Sequence, residues 1–217
     1  NMKKNHIVII AIIVMGLIFA LAAYFYNVQQ MKNKNQLAQQ HANALIPAHA
    51  IKKGDPNAKV TIVEFLDPAC HTCKLFHPVI KDLLQKYPTK INYVVRYAPL
   101  HPGSDQMIAI LEAARKQEQF WNVLELMFES QQYWTVNHVA KPELFWGILK
   151  GYGFDIERIE QDMRDPAIAK IIQQDLADGQ RLGATKTPTF FVNGKPLPSF
   201  GYQQLMNLVQ SELAANY

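Results

Sequence analysis

Cys70-His71-Thr72-Cys73 contains both cysteines of this 217-residue chain, spaced to close a ring across two residues. Val60 to Leu66 is rich in β-branched residues and reads as a strand. Asp67-Pro68-Ala69 reads as a turn, and Cys70 opens a helix that runs to Tyr87. Residues three apart on a first helical turn lie within disulfide range. The attacking species in thiol–disulfide exchange is a thiolate, so such a site must pull one cysteine below its ordinary pKa. Unpaired N–H groups and the dipole at a helix start favour that negative charge. Cys70 is therefore expected to be the exposed nucleophile and Cys73, one turn further in, the resolving thiol. His71 is placed to donate to or charge-pair with the Cys70 thiolate, which would make the disulfide more oxidising. Lys74 adds a weaker positive charge.

Other uses of two cysteines fit less well. A structural disulfide closing so short a loop stabilises little. Zinc through Cys70, Cys73 and His77 lacks a second CxxC or a clean fourth ligand. Haem attachment needs CxxCH, and Lys74 follows Cys73. The expectation is a redox pair with no metal and no cofactor, and His77 as a surface or helix-packing residue.

The elements around the motif must hold it. Ile91 to Tyr97 is a second strand, giving a βαβ unit with a parallel pair. Pro78 lies inside the intervening helix and is expected to kink it. From 104 to about 179 the apolar spacing is helical, with Trp121, Trp134 and Trp146 as core aromatics. Asn193-Gly194 between two short apolar runs signals a hairpin, and a helix from Gln203 to Ala214 closes the chain.

The net charge of +4 comes without a dense basic tract, so nucleic acid is a poor partner. Ile7 to Val28 is an almost unbroken apolar run, long enough to span a bilayer. A cleavable signal peptide ending near Ala20-Leu21-Ala22 is the competing reading, but the apolar run continues through Tyr24, Phe25 and Tyr26, which suit a membrane interface. The expected organisation is a signal anchor over 1–28, a polar stalk or linker over 29–50 and a redox domain over 51–217. Met31, Leu37, Ala42 and Leu45 fall near helical spacing on the stalk, so homo-oligomer formation through it stands beside a simple spacer role. An oxidising pair suits an extracytoplasmic compartment, hence a bacterial inner-membrane protein with one span and its catalytic domain in the periplasm.

Glu64-Phe65, the Cys70–Cys73 motif with Pro78 behind it, and Lys186-Thr187-Pro188-Thr189-Phe190-Phe191-Val192-Asn193-Gly194 together resemble a thioredoxin-fold protein of the DsbA type over about 51–217. The stretch 104–179 is similar to the helical insertion of that family. The resemblance implies an α/β thioredoxin-like fold and a cis Thr187–Pro188 bond beside the cysteines. It further implies that Thr72, Thr187 and Pro188 face an extended substrate, and that Glu64 is a buried carboxyl able to shuttle the proton of Cys73. It also implies thiol-bearing client proteins and reoxidation by a quinone-linked membrane partner of the DsbB type. His71-Thr72 departs from the Pro-His of the best-known pattern, and Thr187 before the proline also occurs in isomerases and reductases. An isomerase or reductase kept reduced by a DsbD-like partner is thus the alternative to an oxidase. A non-catalytic chaperone or metal-binding module is a further one.

Overall fold

The computed structural model describes residues 14–26, 28, 29 and 41–217. The chain divides into two compact units, Asn1–Asn43 and Ala44–Tyr217. In the first, residues 14–26 are helical and expose their apolar side chains, Phe19 and Tyr24 among them. No helix among the described residues is long and apolar enough to cross a membrane. Residues 7–13 of the expected span and 30–40 of the expected stalk, including Met31 and Leu37, lie outside the described residues.

The second unit is built on a five-stranded sheet in the order β1-β3-β2-β6-β7. Its strands are β1 (Ile51–Gly54), β2 (Val60–Leu66), β3 (Ile91–Tyr97), β6 (Thr189–Val192) and β7 (Lys195–Pro196). As expected from the βαβ pattern, β2 and β3 are parallel and are joined through α1 (His71–Lys86). β1, β6 and β7 all pair antiparallel. The β6–β7 turn is Asn193-Gly194, with φ of 48° and 80°, the left-handed pair that a tight hairpin demands. β1 was not expected: Ile51-Lys52-Lys53-Gly54 offers one apolar residue and no alternation to read.

Both faces of the sheet are covered, which explains the near-continuous apolar runs of β2 and β3. Ile62, Leu66, Tyr93 and Val95 share one core with Cys73, Phe76, Ile80 and Leu83 of α1. Val63, Phe65 and Val94 point to the other face and pack with Leu45, Ala50 and Phe191. Period two therefore puts Glu64 on the same face as Ile62 and Leu66, against the cysteine helix. Leu45, expected on the stalk, is instead buried in the sheet's second core, so the folded unit begins at Ala44 rather than at Ile51.

The insertion comprises α2 (Ser104–Arg115), α3 (Phe120–Glu129), α4 (Gln131–Trp134), a hairpin of β4 (Thr135–Val136) and β5 (Val139–Ala140), then α5 (Pro142–Gly151), α6 (Ile156–Asp162) and α7 (Pro166–Leu182). α8 (Tyr202–Asn216) ends the chain. Two corrections apply to the all-helical expectation. The stretch is interrupted by the small hairpin, too short for alternation to register. It also ends at Gly183, whose left-handed φ of 79° caps α7. Gly179 lies inside that helix, where a Cβ would stand 3.3 Å from ring carbons of Phe65.

A buried ionic network bolts α7 to the sheet. Arg96, fully buried on β3, binds Asp175 Oδ1 and Asp178 Oδ2 through Nη2 at 2.8 Å each. Its Nη1 donates to the carbonyls of Ala44 and Leu45, while His49 Nε2 meets Asp175 Oδ1 at 2.6 Å. Removing one member of such a network strands the remaining charges. Arg96→Met should lower stability by about 3–5 kcal/mol, read as the midpoint shift in urea unfolding. An unchanged midpoint would show that the network contributes no net stability.

Candidate active site

β2 delivers the chain to the mouth of the site, and α1 starts there. Cys70 is the N-cap of α1, in extended conformation and with no side-chain cap of the usual kind. Its carbonyl accepts from Lys74 N at 3.2 Å and its N–H donates to Asp67 O at 3.0 Å. From the insertion, the buried Gln131 Nε2 donates to the carbonyls of Pro68, at 2.8 Å, and Cys70, at 3.1 Å. The Thr187–Pro188 bond is cis, and the Cys70 thiol donates to Thr187 O at 3.2 Å. Thr72, Thr187, Pro188, Phe190, Leu197 and Phe200 line a largely apolar groove of about 340 Å³ alongside.

Both thiols are free and, against the expectation of an exposed Cys70, both are buried, Cys70 beneath the Thr187 carbonyl; their environments differ. Cys70 is lowered to about 5, chiefly because the Cys73 thiol hydrogen-bonds to its thiolate; the Thr187 side chain and the backbone N–H groups of Cys73 and Thr72 add to this, while burial opposes it. The bond to Thr187 O favours the neutral thiol and is outweighed. Cys73, fully buried, is pushed well above the ordinary thiol range, first by desolvation and then by its bond to Cys70. One sulfur is thus an anion at neutral pH and the other keeps its proton.

Glu64 is buried on the α1 side of β2, and desolvation raises it to about 8, against the lowering effect of its hydrogen bond from Tyr93 Oη at 2.5 Å. It is therefore a neutral acid at pH 7, electrostatically coupled to both cysteines. The structure thus brings Cys70, Cys73, Glu64, Thr72, Thr187 and Pro188 together. It leaves the His71 side chain exposed on the first turn of α1, with no side-chain hydrogen bond or ion pair among the described residues. Lys74 turns away to bond Gln132 Oε1 at 3.0 Å. His77 packs α1 on α3 through Glu125 Oε2, at 3.0 Å, and Phe128. No group of three or more His, Cys, Asp or Glu among the described residues is arranged to hold a metal ion.

Sequence reasoning missed Tyr93, Gln131 and Asp67. Asp67 is fully buried and accepts from five donors on three residues of the neighbouring loop and helix and on its own turn: Ala69 N, Ser104 Oγ, Leu100 N, His101 N and His101 Nδ1. An acidic residue at the end of an apolar strand was the available signal, but it reads equally well as a turn former.

Residues 46–211 match the family model described as thioredoxin. The chain belongs to the thioredoxin family. Its fold is similar to that of Wolbachia pipientis alpha-DsbA1, a solved structure that superposes with a TM-score of 0.69 at 23% identity, covering 81% of this chain and 96% of that one. The disulfide bond formation protein D of Bacillus subtilis (strain 168) is 27% identical over 170 residues, which is 74% of this chain and 75% of that protein. A Na(+)/H(+) antiporter NhaA of Herminiimonas arsenicoxydans is 34% identical over 145 residues, 67% of this chain and 22% of the antiporter. The chain thus spans about a fifth of the length of the antiporters it matches. Its two unequal thiols are arranged as thiol–disulfide exchange requires, one poised as a thiolate and the other holding its proton.

Two outcomes follow from the unequal thiols and the buried acid. Alkylation of Cys70 by iodoacetamide should follow a titration with its midpoint near pH 5, and Cys73→Ala, which deletes the largest stabilising donor, should move that midpoint up by about one unit or more. A midpoint that stays put would exclude the Cys73 bond as the cause. For Glu64, the folded pKa is raised, so the stability it contributes is present below about pH 4.5 and is lost as pH rises through about 8. In the oxidised protein, where no thiol titrates, Glu64→Gln should remove that decline and leave the variant more stable than wild type at pH 8. Parallel stability–pH curves would show that Glu64 is not buried as a neutral acid.

Proposed function

We propose that this protein introduces disulfides into client proteins as a DsbA-like oxidase, with Cys70 as nucleophile. The observation that carries this reading is the Cys70 thiolate, held near pKa 5 by donors that act only when the sulfur is charged. Stabilising the thiolate stabilises the reduced enzyme, which makes the disulfide a stronger oxidant. In the forward reaction a client thiolate attacks Cys70 Sγ, the Cys70–Cys73 bond breaks, and its electron pair goes to Cys73. The high proton affinity of Cys73 draws a proton from the neutral Glu64 carboxyl. A second client thiol then attacks the client sulfur of the mixed disulfide. Its proton returns to Glu64, and Cys70 leaves as the stable thiolate. Thr187 and Pro188 present backbone to an extended client segment, and Thr72 flanks it in the same groove.

We assign the apolar segment 7–28 to a membrane anchor, with the domain outside the cytoplasm. The uncovered apolar side chains of residues 14–26 support this assignment. A quinone-linked partner of the DsbB type would then return the dithiol to disulfide.

The reading is tested by trapping the thiols in cells with a mass-tagged alkylating reagent. Cys70 and Cys73 should be recovered mainly as disulfide, and Cys70→Ala should abolish oxidation of a dithiol peptide by the purified protein while leaving it folded. Recovery mainly as dithiol would instead assign an isomerase or reductase supplied by a DsbD-like partner.

A further inference from the structure

The site contains a histidine that lies outside the CxxC motif yet is joined to it through one buried residue. Asp67 touches both cysteines with its backbone: its C=O accepts from the Cys70 backbone N–H at 3.0 Å, and its own N–H favours the Cys73 thiolate. Its carboxylate reaches the loop after β3, where Oδ2 binds His101 Nδ1 at 2.7 Å and His101 N at 2.9 Å. Oδ1 takes the Ser104 hydroxyl at 2.5 Å and Ala69 N at 2.9 Å. Asp67 and Ser104 are fully buried, whereas the His101 side chain is 23% exposed. The imidazole is therefore fixed on one nitrogen and free to exchange a proton at Nε2.

We propose that His101, clamped on the buried Asp67 carboxylate, is the positioning residue that sets the charge facing the Cys70 thiolate. The oxidising strength of the protein is then governed by protonation of a histidine outside the Cys70–Cys73 motif. This inference rests on the redox reading above and adds to it a residue and a pH dependence. The groups that face the ring are Asp67 and Cys70 from the loop after β2, and His138 from the turn between β4 and β5, whose ring lies 6.2 Å away. Asp105, at the start of α2, is the nearest acid on its own segment in sequence.

The Asp67 hydrogen bond, opposed by burial and aided by the Asp67 charge and then the Cys70 charge, raises the proton affinity of His101 above that of an ordinary histidine. A protonated His101 neutralises Asp67 and favours the thiolate. Once His101 loses its proton, the positive charge that acts on Cys70 is gone, while the Asp67 carboxylate stays held by Ser104 and three backbone N–H groups. The sign follows: the reduced form is favoured while His101 is charged, and that preference falls as pH rises through the histidine's pKa. By linkage, reduction of the disulfide must raise the pKa of His101 by the same free energy.

The test uses the wild-type protein first. His101 ring resonances, assigned by their loss in His101→Gln, are titrated by NMR in the oxidised and the reduced protein. The midpoint should be higher in the reduced form; coincident midpoints overturn the proposal. The thiol–disulfide equilibrium constant with glutathione is then measured for wild type and His101→Gln, whose amide can still donate to Asp67. Wild type should be the stronger oxidant by about three- to fivefold at pH 5.5, and the ratio should fall toward one above the pKa of His101. A ratio that is constant with pH would mean that His101 only holds the loop, and overturns the proposal. Failure of the wild type to exchange with glutathione at any pH would instead sink the redox reading on which the proposal stands.

Discussion

The interaction of the Cys73 thiol with the Cys70 thiolate, the largest cause of the lowered Cys70 pKa, is the one on which the rest depends. It needs one sulfur kept out of water, so that it retains its proton, and the other placed where several donors converge. Burial of Cys73 is supplied by the apolar face of α1, where Phe76, Ile80 and Leu83 follow it into the core. Convergence on Cys70 is supplied by its position before the first helical turn. The sheet matters because β2 ends where the helix starts. Glu64 and Asp67, three residues apart, then stand at the strand's end, one neutral and one bonded by five donors.

The insertion acts as more than a cover. Gln131 holds two carbonyls of the loop that leads into Cys70, so a helix remote in sequence fixes the approach to the nucleophile. The rear of the sheet is held by Arg96 with Asp175 and Asp178, which join β3, α7 and the chain around Ala44. The close approach of Gly179 to Phe65 lets α7 lie near enough for those carboxylates to reach. Loop and rear support are thus built from polar contacts inside an otherwise apolar interior, where pairing is demanded by the absence of water.

Much of this was legible from residue types and spacing. The CxxC motif at a strand end, the parallel pair and the Asn193-Gly194 hairpin are local signals whose physics does not depend on distant partners. Glu64 was legible as a candidate only through resemblance, since alternation along a strand covered on both faces does not say which side carries function. The roles of Asp67, Gln131, Tyr93 and Arg96 were not legible. Each depends on a partner 15 or more positions away in the chain, and a lone polar residue in an apolar run does not announce which neighbour will satisfy it. The contrast between His71 and His101 is the clearest case: proximity in sequence favoured the first, while the fold carries the second to the buried carboxylate.

Cys70 is at once the reacting atom and the cap of α1. In the dithiol the N–H groups of Thr72 and Cys73 favour the charge on the Cys70 sulfur, so the helix start stabilises its own nucleophile. In the disulfide that sulfur carries no charge, and the helix start loses that interaction. Redox chemistry and helix termination are therefore one event. The difference in resistance to unfolding between dithiol and disulfide, and the difference in redox equilibrium of this cysteine pair between the folded and the unfolded chain, are the same free energy read along two edges of one thermodynamic cycle.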